Sequence, residues 1–159
     1  MACFTDLVLL AMLVLANGAP VALQAGCGHR CAWTLDDLLR PALGPQTVVF
    51  GHHKTLRGIG AAVVASTAVA WAVDWPLWLG ALVGTLAMLG DLGSSAWKRL
   101  RGVAPGGPVP GVDQIPESLL PMLGAACFLS LGPADIAAIV AGFCVLEWLL
   151  TSLWQRGRQ

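Results

Sequence analysis

WPLWLGALVGTLAMLGDLGSSAWKRLRG, Trp75–Gly102, carries no charge before Asp91 and then presents Asp91, Lys98, Arg99 and Arg101. Its uncharged half is built from Leu, Ala and Gly, the composition of a helix that packs closely against others in lipid. At about 3.6 residues per turn, Asp91, Ser94 or Ser95, and Lys98 fall on one face. The stretch therefore reads as a helix that crosses a hydrocarbon core over 77–92. Beyond it, an acid, hydroxyls and a cation emerge at the water boundary.

The rest of the chain agrees with that reading. Of 159 residues, 57% are hydrophobic and only 11% charged, with nine bases against nine acids, and the mean hydropathy is +0.74. Eighteen charges cannot cover a soluble domain of this size, so most of the surface must face an apolar solvent. There is also no basic domain to grip nucleic acid. Four further apolar stretches lie at approximately 7–23, 59–73, 115–131 and 134–154, several of them shorter than the ~20 residues that span a bilayer core. The expected fold is all-α: one polytopic membrane domain over 1–159. It has about five transmembrane helices and two long cytoplasmic loops, approximately 24–57 and 97–114. A soluble bundle with a buried core is the competing reading. No internal repeat is evident, and a homo-oligomer is compatible with the composition.

Five spans sort the bases without exception. Arg30, Arg40, Lys54 and Arg57 fall in the first loop, Lys98, Arg99 and Arg101 in the second, and Arg156 and Arg158 after the last span. The other side keeps only short turns at Asp74 and Pro133–Asp135, and the N-terminus with Asp6. The positive-inside rule then puts the N-terminus outside, and the C-terminus and both loops on the cytoplasmic side of the cell membrane. The opening residues MACFTD carry no base and make a poor secretory signal. LQAGC, ending at Cys27, has Gln24 where a lipoprotein site wants an apolar residue. Five cysteines at irregular spacing are no disulfide framework. Cys27, His29 and Cys31 form a C-x-H-x-C cluster that lacks a fourth ligand, so incidental thiols are expected.

Chemistry concentrates in the two loops. After Lys98 the chain runs through a Gly/Pro-rich segment to Asp113 and Gln114, a bend that can return Asp113 towards Asp91. Two carboxylates from different segments at the bilayer edge make a hard-oxygen site for Mg²⁺. Lys54, Arg57, Lys98 and Arg99 on the same side are suited to the phosphates such a cation attracts. The bland alternative is that Asp91 and Asp113 pair with neighbouring bases. GHHKTLRG, Gly51–Gly58, ends like a P-loop, but His53 stands where the second Gly belongs and no α/β pattern surrounds it. Lys54 and Arg57, three apart at the start of the second span, read instead as a phosphate seat at a helix N-terminus.

In order, ANGAP (Ala16–Pro20), TLDD (Thr34–Asp37), GHHKTLRG, GDLGSSAWKR (Gly90–Arg99) and PGVDQ (Pro110–Gln114) resemble the motifs of the CDP-archaeol synthase family. That family belongs to the CDP-diacylglycerol-synthase-like membrane cytidylyltransferases, and this chain looks like a bacterial-type variant. The resemblance covers residues 16 to about 125. It implies an enzyme that uses CTP and Mg²⁺ to convert a lipid phosphate into a CDP-lipid, with membrane lipids around it. Asp91 and Asp113 would hold metal. Lys54, Lys98, Arg57 and Arg99 would handle phosphates, and Ser94 and Ser95 would lie at the substrate. Asn17, Asp36 and Gln114 would shape the nucleotide or metal site. Leu56 stands where the family has Trp, and His52 and His53 replace smaller or polar residues, so the acceptor lipid is not specified.

Two rivals come from other classes. A small transporter would carry ionisable residues in mid-span, and a non-catalytic scaffold would need none of the chemistry. Glu117 and Glu147 are expected to be auxiliary, Glu147 turning inward from the last span. The tryptophans that flank the spans read as an interface belt.

Overall fold

The computed structural model describes residues 2–27, 33–44, 48–51, 54–103 and 113–156. They form six helices: α1 (Ala2–Cys27), α2 (Leu35–Leu43), α3 (Leu56–Ala72), α4 (Leu77–Leu100), α5 (Gln114–Ala126) and α6 (Pro133–Arg156). There is no strand among the described residues, only an isolated antiparallel bridge between Thr34 and Thr55. The all-α architecture is the expected one.

The helices are not five equal spans. Three segments, Cys3–Cys27, Leu77–Leu100 and Pro133–Leu153, are long and apolar enough to cross a membrane. With 17 residues in α3 and 13 in α5, a rise of about 1.5 Å per residue gives roughly 25 and 20 Å, short of a ~30 Å core. The stretch predicted as 115–131 stops being helical at Ala126. Cys127, Phe128 and Leu129 turn back onto the carbonyls of Gly124 and Ala125, and Pro133 then opens α6, where a missing N–H does no harm. The first long loop holds α2, which the span count did not foresee. Thr34 and Asp37 form a capping box at its start, satisfying two orphan donors of the first turn.

Small residues set the packing of α1, α3, α4 and α5. On α3, Gly58, Ala62, Ser66 and Ala70 form one buried stripe at i, i+4 spacing. Leu9, Met12, Leu13 and Ala16 of α1, with Val83 and Ala87 of α4, are buried among them. Ser66 spends its hydroxyl proton on the Ala62 carbonyl at 3.0 Å. A Cβ at Gly84 would lie 2.9 Å from Val63 Cα, and one at Gly90 would lie 2.7 Å from Glu117 Cα. Neither site has room for a side chain. α6 buries Ile139 and Phe143 in the core, whereas Val145, Trp148, Leu150 and Leu153 stay exposed, an apolar surface suited to lipid.

Gly84→Val is expected to destabilise the protein by at least ~1–3 kcal/mol, the range for forcing atoms into a filled core. The measurement is the thermal midpoint in detergent. Exposed Val64→Ala serves as the reference, and equal midpoints would refute the close α3–α4 contact.

Candidate active site

The segment that delivers Lys54 is tied down on both sides. Leu35 N donates to the Lys54 carbonyl at 2.9 Å, and Leu56 N donates to the Trp33 carbonyl at 3.1 Å. Thr55 caps α3, its hydroxyl accepting from Gly58 N at 3.0 Å. Held so, Lys54 reaches across to α4, and its Nζ lies 2.5 Å from each oxygen of Asp91. The pair is about one-fifth exposed, at 24% and 19%.

Around it lies a cavity of about 210 Å³, lined by Asn17, Lys54, Thr55, Asp91, Glu117 and Glu147, among others. The absent side chain at Gly90 lets the backbone at Pro116–Glu117 lie against α4, which places Glu117 beside Asp91. Glu117 is only 4% exposed. Its carboxyl and that of Glu147 lie within hydrogen-bonding reach of one another. Glu147 also lies within electrostatic range of Asp91, Asp113 and Lys54. Sequence reasoning set both glutamates aside. The available signal was an acid inside an apolar span, which needs a polar partner to be tolerated there. Asn17, Val21 and Glu147 also line a second, largely apolar groove of about 350 Å³ between α1 and α6.

The other predicted residues take different positions. Lys98 is buried and its Nζ lies 2.6 Å from Asp113 Oδ1. The two acids expected to share a metal are thus each paired with a lysine. Ser94 donates to the Asp91 carbonyl at 2.9 Å and Ser95 is buried; neither lines the cavity. Arg99 turns back to the Val103 carbonyl and closes its own helix end. Arg57 and Gln114 make contacts of their own and do not line the cavity. Asp36 is also away from it: buried, its carboxylate accepts from Val49, Phe50 and Gly51 N–H at 3.1, 3.0 and 2.8 Å. Asp36 was expected to shape the nucleotide or metal site, and its carboxylate is held here by three backbone donors of its own chain. His29, Cys31, His52 and His53 lie outside the described residues. Cys27 is an exposed free thiol at the end of α1.

The described residues contain no group of three or more His, Cys, Asp or Glu set to hold a metal. Mg²⁺ needs less, because it is usually bound by one or two carboxylates and completed by water and substrate phosphates. Asp91 and Asp113 supply such oxygens, and each now carries an ammonium in a cation's place. Within the cavity Asp91 supplies an oxygen that fits a divalent ion arriving with a phosphate ligand, whereas Asp113 and Lys98 do not line it.

No family model matches the chain. It is similar to a phosphatidate cytidylyltransferase of Synechocystis sp., with 36% identity over 76 residues, covering 43% of this chain. The match spans 25% of the relative's length. The chain is also similar in fold to the solved structure of an intramembrane enzyme for archaeal membrane lipids biosynthesis. There the TM-score is 0.68 at 22% identity, and 91% of each chain is covered. The membrane fold expected from composition is thus met in a solved structure, and the relative's name agrees with the group of cytidylyltransferases that the sequence motifs resemble.

Lys98→Met, which removes the ammonium paired with Asp113, is expected to cost up to about 3 kcal/mol, as removal of one partner from a buried pair does. The readout is the thermal midpoint in detergent without metal. Adding Asp113→Leu should recover most of the loss. A double variant no more stable than the single would refute a buried, coupled pair.

Proposed function

We propose that the protein is a membrane cytidylyltransferase that transfers CMP from CTP to a lipid phosphate, releasing pyrophosphate and leaving a CDP-lipid. One observation carries the reading. The Lys54–Asp91 pair lies in a polar cavity that meets an apolar groove at Asn17, Val21 and Glu147. One substrate of such a reaction comes from water and the other from the bilayer, so a site joining a polar and an apolar compartment suits both. The lipid's phosphate would enter the cavity while its chains lie between α1 and α6.

A phosphate oxygen of the lipid attacks the α-phosphorus of CTP, the bond to the β-phosphate oxygen breaks, and pyrophosphate leaves. The nucleophile is already an anion, so the protein's task is to position and neutralise two polyanions. Asp91 and Asp113 would hold Mg²⁺, which supplies charge neutralisation when bound. Lys54 and Lys98, released from their carboxylates by that exchange, would turn to phosphate oxygens. Arg57 and Arg99 would add positive charge from the helix ends outside the cavity, with Ser94, Ser95 and Gln114 supporting the segments that carry the acids. Charge distribution along the chain supports a cytoplasmic site with the N-terminus outside. Magnesium, CTP, a lipid phosphate and membrane lipids are the partners. Nucleic acid is not one of them.

Glu147 is the kind of mid-span acid that ion-coupled transport uses, and Glu117, in the first turn of α5, lies beside it. They share one cavity with Lys54 and Asp91 instead of marking a path across the bundle, which favours the enzyme.

Purified protein with labelled CTP, Mg²⁺ and a panel of lipid phosphates is expected to yield CDP-lipid and pyrophosphate in equal amounts. Asp91→Ala should lower the rate by at least ~100-fold, the loss of several kcal/mol of transition-state stabilisation. No CDP-lipid with any acceptor and no CTP binding would overturn the proposal in favour of a transporter or scaffold.

A further inference from the structure

The stretch Gly51–Gly58 resembles a phosphate-binding loop in composition, and its entrance has the backbone to match. Val49, Phe50 and Gly51 point three successive N–H groups at one spot. Such a concavity of consecutive donors is a nest that ordinarily takes an anion from solution. Here the anion is internal, the buried Asp36 carboxylate at 4% exposure. Gly51, also buried, has φ 94°, a left-handed conformation that side chains resist.

We infer that Asp36 is a positioning residue: by filling this nest it fixes the turn that carries Lys54 and keeps the nest from competing for substrate phosphate. The inference rests on the cytidylyltransferase reading for its functional consequence, but not for its geometry. The chain of contacts is continuous. Asp36 holds Gly51 N, Gly51 O accepts from Lys54 N at 3.2 Å, and the Lys54 carbonyl accepts from Leu35 N at 2.9 Å, one residue before Asp36. The loop is thereby closed around Lys54, whose ammonium then reaches Asp91. Three hydrogen bonds to a charged acceptor are among the stronger local restraints a backbone can have. Asp36→Asn keeps one oxygen for Val49 and Phe50 but turns an amide N–H₂ onto the Gly51 donor. Asp36→Ala empties the nest altogether.

Three measurements on the full chain in detergent test this. Backbone amide exchange at Val49–Gly51 should rise by at least about a hundredfold in Asp36→Ala, with the core of α4 unchanged. Asp36→Asn should fall between, and added formate should slow exchange in the Ala variant by reoccupying the nest. Lys54 should react faster with a water-soluble acylating reagent in Asp36→Ala, approaching its rate in Asp91→Ala. For CDP-lipid synthesis, KM for CTP should rise about tenfold or more, with kcat falling less. Unchanged exchange at 49–51 would overturn the clamp. Raised exchange with unaltered Lys54 reactivity and unaltered KM would overturn the positioning role. If the unsubstituted protein makes no CDP-lipid, the functional reading fails while exchange and Lys54 reactivity still decide the inference.

Discussion

Lys54 and Asp91 can meet only because three helices approach one another with almost nothing between them. The charges sit on the segment before α3 and on α4, and they stay together because separating them in apolar surroundings leaves two uncompensated ions. Their geometry depends on residues that carry no charge. Gly84 lets α4 lie on the Ala62–Ser66 face of α3, and Gly90 lets the start of α5 lie on α4. A bulkier residue at either place would push the backbone away and draw the ion pair apart. In a membrane bundle, where lipid is as apolar as the core, close packing of small residues replaces the hydrophobic drive that joins helices in water. The ion pair and the glycine contacts are therefore one design.

Much of this was legible in the sequence. Composition alone pointed to a membrane domain over a soluble bundle, and the pattern of Trp75–Gly102 gave a helix carrying Asp91 and Lys98, as α4 does. Bringing Lys54 and Asp91 into one site was also readable, because charges in an apolar chain must find partners. The partner choice was not. The sequence left open whether Asp113 joins Asp91 or pairs with a neighbouring base, and its pairing with Lys98 depends on where α5 begins. Glu147 was visible as an acid inside a span and Glu117 as one at a span's start, yet their convergence depends on the backbone approach at Gly90, which no periodicity encodes. α2 was missed although Thr34 and Asp37 carry the capping-box pattern. Leu35, Leu38, Leu39 and Leu43 also recur at helical spacing, a pattern that a search for membrane-length apolar runs passes over.

The segment before α3 shows how a phosphate-loop composition can serve another end. In a P-loop, glycine-rich backbone offers its N–H groups to the nucleotide. Here the nest at 49–51 faces a carboxylate of the same chain, and the cation beside it, Lys54, is left as the group free to exchange partners. A backbone nest holds whatever anion it has at fixed geometry. A lysine on a flexible stem can move from a carboxylate to a phosphate as a ligand arrives. Division of labour between a static internal anion and a mobile cation keeps the site shaped before substrate enters.

The charge of the cavity argues for the order in which ligands enter. Its lining sets the single ammonium of Lys54 against the carboxyl groups of Asp91, Glu117 and Glu147. Such a lining offers a bare triphosphate a single cation, and Asp91 already holds it. For the proposed reaction, the nucleotide must come with its divalent cation, so that the cation meets the carboxylates while Lys54 turns to the phosphates. The apolar groove opens on the other flank at Glu147 and Asn17, leaving the lipid a route that does not cross the nucleotide's. An anion-handling site lined with acids is then no contradiction. In the proposed reaction Asp91 would keep Lys54 in place, leaving its ammonium available to phosphate once a divalent cation is bound.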